Sequence, residues 1–118
     1  MSAAVRTETF LWLAQRVSAV VLAVCVSGHI VTMILAVQGG LSAAEIISRV
    51  GGSGLWLGFY LVFVGAVAVH APIGLKSVLR EMTSLPQRRI ELLVGLFALL
   101  IAALGVRAAF GLYALGGS

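Results

Sequence analysis

At 118 residues, with 61% of them hydrophobic and only 10% charged, the chain lies outside the composition of an ordinary soluble fold. A mean hydropathy of +1.14 agrees, and at roughly 20 apolar residues per crossing the length holds about three membrane spans in a single domain, residues 1–118. The net charge of +4 sits in short segments beside the apolar runs, so it reports placement across a bilayer and speaks against nucleic acid as a partner.

The first ten residues, Met1 to Phe10, carry Arg6, Thr7, Glu8 and Thr9 and are expected at or beyond the membrane interface. Trp12 follows where aromatic belts sit. The first apolar run is longer than a secretory h-region and has no small-residue cleavage site, so no cleavable signal is expected. A first span is predicted from about Val17 to Val37, stopped by Gln38-Gly39-Gly40. Cys25, the single cysteine, lies inside that run; it can form no internal disulfide and reads as a small packing residue. Ser42-Ala43-Ala44-Glu45 is a capping-box pattern that opens a short amphipathic helix on the membrane surface. Gly51-Gly52-Ser53-Gly54 breaks the chain before a second span, about Leu55 to Leu75, whose helix continues to Met82. Pro86 can open the next helix, with a third span from about Leu92 to Leu115. Its Gly95, Ala98, Ala102, Gly105 and Ala109 form a small-residue stripe suited to close helix packing. The predicted fold is all-α: three transmembrane helices and one short interfacial helix.

Two spans separate the N-terminus from the second loop, so both lie on one side. That side collects Arg6, Arg16, Lys76, Arg80, Arg88 and Arg89, against Arg49 and Arg107 for the other. The positive-inside rule places the N-terminus in the cytoplasm; a multi-pass protein of a bacterial inner membrane is expected.

Both histidines, His29 and His70, fall inside spans. One such residue is explained by a hydrogen bond across helices; two, each beside small residues, point to a site. Ser18, Leu22, Cys25 and His29 share a face of the first span. Ala66, His70, Gly74 and Ser77 share a face of the second, which leaves a slot for a flat ligand such as a porphyrin, whose iron imidazole commonly binds. At 1.5 Å per residue, Arg16 to His29 is roughly 20 Å and Lys76 to His70 roughly 9 Å. Two ligands of one haem must meet the same iron, and an offset of about 10 Å argues for two stacked haems, each completed by another chain.

His70-x-x-x-Gly74, followed by Leu75-Lys76 and Arg80-Glu81, resembles the second-helix motif of the membrane anchors of succinate dehydrogenase and fumarate reductase. Gln15-Arg16-Val17-Ser18-Ala19 is similar to the Arg/Ser entrance of their first helix, and the likeness covers nearly the whole chain. The resemblance implies haem b on intramembrane histidines, with His70 and His29 as axial ligands to haem iron and Ala66, Gly74 and Cys25 as small residues facing the haem. It implies quinone near Gln15, Arg16, Ser18, Lys76 and Glu81, with Arg16 and Lys76 available to haem propionates or to lipid headgroups. It also implies iron–sulfur and flavoprotein subunits as partners, with a second anchor chain or second copy of this one. No dicarboxylate chemistry belongs to this chain. Where some of these anchors carry an acidic residue followed by tyrosine, this sequence has Glu81-Met82, so the quinone's hydrogen-bond partner must come from elsewhere. Two other readings stand beside this one: a haem-free structural or assembly subunit, and a small proton-conducting subunit that uses His29 and His70 as a relay.

Overall fold

The computed structural model describes residues 2–116. Four helices follow one another: α1 (Ala3–Gln38), α2 (Ala43–Val50), α3 (Gly54–Met82) and α4 (Gln87–Leu115). The three long ones are long and apolar enough to cross a membrane, and the short α2 lies between the first two. The all-α prediction and its order are met.

Local chemistry sets the ends. Ser2, Ser42 and Ser53 are the N-caps of α1, α2 and α3, each accepting a backbone N–H three residues on, from Val5, Glu45 and Trp56. Pro86, with φ −60°, takes the same position for α4 without a side-chain cap. The stop after α1 is a Schellman turn. Gly40 N–H bonds Val37 O at 3.1 Å and Leu41 N–H bonds Ala36 O at 3.0 Å. Gly40 supplies the left-handed φ of +65° that the turn demands.

The helix α1 exceeds its predicted span. It is already helical at Ala3, and its 36 residues run to roughly 54 Å against a hydrocarbon core of about 30 Å. The extra turns arise because Ala3, Ala4, Arg6 and Glu8 are good helix formers behind a serine cap. Arg6, Thr7, Glu8 and Thr9 make these turns polar, so they continue the rod outside the apolar layer. For the same reason α4 starts at Gln87, ahead of its apolar run.

The helix α3 is the centre of the bundle, in contact with α1 on one side and α4 on the other, while α2 touches α4. Side chains at these contacts are small: Ser18, Cys25, Ala66 and Ala109 are buried, with Pro72 and Ile90. This is how helices approach in lipid, where hydrophobicity gives no attraction between them and close packing must. A Cβ on Gly105 would come within 2.6 Å of Val64 Cγ1, so glycine lets α4 lie against α3 there. The predicted stripe holds through Ala98, Ala102, Gly105 and Ala109. Gly95 departs from it: that residue is exposed, and a Cβ there would meet nothing within 4 Å.

Candidate functional site

The two histidines occupy different levels of α3. His29 reaches across from α1 and meets Tyr60 and Phe63 edge-on, with ring centroids 6.1 and 5.9 Å apart. The contacts Gln15 to Gly74 and Gly28 to Phe59 fix the antiparallel register of α1 on α3. From Phe63 and Tyr60 to His70 is seven to ten residues of α3, roughly 10–15 Å. The separation in depth agrees with the sequence offset of about 10 Å.

His29 stands between two apolar grooves. One, of about 420 Å³, runs over α3 toward α4 past Phe63, Val64, Val67, Gly105 and Ala108. The other, of about 330 Å³, lies under α2 with Thr32, Ile46, Arg49, Trp56 and Tyr60. Thr32 donates its hydroxyl to the His29 carbonyl at 2.7 Å, so it is satisfied within its own helix. Trp56, Phe59, Tyr60 and Phe63 form a ladder of ring contacts on α3. Sequence reasoning passed over this ladder, although aromatics three, four and seven residues apart on one helix face are a legible pattern.

His70 lies half-buried one turn from buried Ala66 on one side and from Gly74 on the other. Pro72 follows inside the helix and has no N–H for the Ala68 carbonyl. Gly74 faces the side-chain amide of Gln15, whose Nε2 is 3.5 Å from where a Cβ would be. Ser18 is buried and donates to the Gln15 carbonyl at 3.1 Å, so its hydroxyl turns back on α1. The Arg16 guanidinium lies 5.1 Å from the Trp12 ring centroid, a cation–π distance. Lys76 is half-buried and Glu81 exposed; the register sets Arg16 and Lys76 within about a turn of each other along the axis. Cys25 is buried and borders a third groove, with Val21, Gly58, Phe59 and Val62.

Among the described residues three buried side-chain polar atoms have no hydrogen-bond partner: Nδ1 of His29, Nδ1 of His70 and Oε1 of Gln15. Each such orphan costs about 1–3 kcal/mol in a protein interior, and lipid offers no relief. The three lie on the facing sides of α1 and α3, open to a bound group or water. Among the described residues no group of three or more His, Cys, Asp or Glu could hold a metal ion. A porphyrin brings its own four nitrogens and asks a chain for a single imidazole, so this donor set fits haem.

A family model, the succinate dehydrogenase/fumarate reductase transmembrane subunit, matches residues 2–108, from the first turn of α1 into the last third of α4. The chain belongs to this family. No curated protein and no solved structure matches it. As a succinate dehydrogenase/fumarate reductase transmembrane subunit it is a multi-pass membrane protein, anchoring a complex in partnership with that enzyme's other subunits. The histidine-bearing helices α1 and α3 both lie inside the matched region.

Proposed function

We propose that this anchor binds haem b and passes electrons between a cytoplasmic iron–sulfur subunit and membrane quinone in a succinate:quinone or quinol:fumarate oxidoreductase. The observation that carries the reading is the pair of half-buried imidazoles, each with a buried Nδ1 that has no partner among the described residues, roughly 10–15 Å apart along α3. His70 and His29 would hold one haem each, and because the chain offers one imidazole per level, the second ligands come from a partner anchor chain. Bound haem supplies a one-electron carrier whose potential follows its ligands and burial. That depth separation also weighs against a proton relay made of the two imidazoles alone.

The chain's own residues have separate tasks. Arg16 and Lys76, near one level, neutralise the carboxylates of a group held by His70. Arg49 borders the groove of His29 and is placed for the same task at the deeper level. Gln15 Oε1 is an open acceptor for a quinol hydroxyl, with Ser18 one turn on along α1 and Glu81 about two turns beyond Gly74 on α3; Ser18 must first rotate away from the Gln15 carbonyl. The small residues Ala66 and Gly74 keep α3 thin around His70, and Cys25 lies on the α1 face that carries His29. The N-terminus and the loop between α3 and α4 face the cytoplasm, where the soluble subunits dock.

The test is the haem count of the purified complex with its reduced-minus-oxidised spectrum. Two b-type signals are expected, with one lost in His70→Ala and the other in His29→Ala. A colourless complex that keeps all its subunits overturns the reading in favour of a haem-free assembly role. Both signals lost together in either variant would instead refute the separate levels.

A further inference from the structure

Arg107 stands on α4 where the site does not use it. The face of α4 that carries Gly105 and Ala109 is taken up by α3. Two residues beyond Gly105, at about 100° per residue, Arg107 projects to the opposite side. It is exposed there, on the same face as Leu100, Ala103 and Phe110, and among the described residues it has no hydrogen bond or ion pair.

Its depth makes this costly. Helix α2, with Glu45 and Arg49, marks the polar boundary at this end, and the turn after it is tied to α4 by Gly52 N–H to Tyr113 O at 2.9 Å. From Tyr113 back to Arg107 is six residues, about 9 Å inside that level. A helical Cα–Cβ bond tilts toward the helix N-terminus, which for Arg107 is toward mid-membrane. The side chain would have to fold back on itself to reach headgroups. A guanidinium does not deprotonate, so an anion has to come to it.

A parallel copy of this chain has no acidic side chain at that depth. The chain has four acidic residues. Glu8, Glu81 and Glu91 lie at the other end of the bundle, and Glu45 is on α2. A parallel two-fold would set Arg107 against its own equivalent. We propose that the Arg107 face of α4 docks a different membrane polypeptide, one that carries an Asp or Glu inside its span at the depth of Arg107. The proposal needs the family's shared assembly but not the haem reading.

The experiment uses the detergent-purified complex, with a photoreactive benzophenone side chain in place of exposed Phe110. Irradiation is expected to join the chain to a distinct membrane polypeptide, through a peptide that holds an acidic residue within an apolar run. Arg107→Leu should then lower recovery of that polypeptide by about tenfold or more, while Arg107→Lys retains it. Neutralising the partner's acid should lower recovery equally, and combining the two changes should add nothing further. A cross-link to a second copy of this chain, adducts with lipid only, or full recovery in Arg107→Leu overturns the proposal.

Discussion

Two glycines of α4 should answer the same substitution with opposite signs. A methyl on Gly105 would lie 2.6 and 2.9 Å from the two γ-carbons of Val64 and 3.3 Å from its Cβ. Valine is stiff at χ1, so the helices must part, at a cost of about 1–3 kcal/mol for overpacking. Alanine recovers up to about 1 kcal/mol of helix propensity, which leaves Gly105→Ala roughly 0–2 kcal/mol less stable. A methyl on Gly95 meets nothing within 4 Å, so Gly95→Ala keeps the gain and is stabilised by about 0.5–1 kcal/mol. The difference between the variants cancels propensity and isolates the clash at ~1–3 kcal/mol. Reversible unfolding in mixed micelles titrated with dodecyl sulfate measures both, and Val64→Ala combined with Gly105→Ala should restore stability by at least about 1 kcal/mol of coupling. Equal shifts for the two glycines, or no rescue by Val64→Ala, would refute the packing of α4 on α3 described here. Because Val64 and Gly105 also border the groove of His29, the His29 haem signal should move in Gly105→Ala while that of His70 stays.

Replacing Gly40 by valine forces a β-branched residue to φ +65°. The strain is about 1–2 kcal/mol, and faster amide exchange at Leu41 and the last turn of α1 would report it; unchanged protection would mean that the turn is not left-handed. Gln15→Leu removes a buried acceptor that the chain leaves unused. Fold stability should therefore hold within about 0.5 kcal/mol or rise, while the KM for quinone increases. A loss of stability with unchanged KM would show that the amide serves packing instead.

Most of the architecture was legible because a bilayer leaves few choices. Apolar length alone reports the spans, and Ser42 with Glu45 and Gly39 with Gly40 are local signals whose chemistry needs no tertiary context. The true start of α1 was not legible from hydropathy, since Arg6 and Glu8 favour helix while disfavouring lipid. Gly95 and Gly105 read alike in a list of small residues; ten residues at 100° turn them about 80° apart, and only one reaches Val64. The setting of His29 among Tyr60 and Phe63 depends on how far α1 slides along α3. Composition is silent about that register. The offset between the histidines was readable in sign and in rough size.

The joint between Gly51 and Gly116 bears on how the molecule is made. A Cβ on Gly51 would come within 2.6 Å of the Gly116 Cα, and the neighbouring Gly52 N–H ends on the Tyr113 carbonyl. The middle of the chain is thus latched to its far end. Until translation reaches α4, α2 lacks the helix it contacts most, so the joint that holds α2 over the groove of His29 forms only once α4 is in place. A nascent anchor can insert its first two crossings with the deeper pocket still open to whatever must be loaded there.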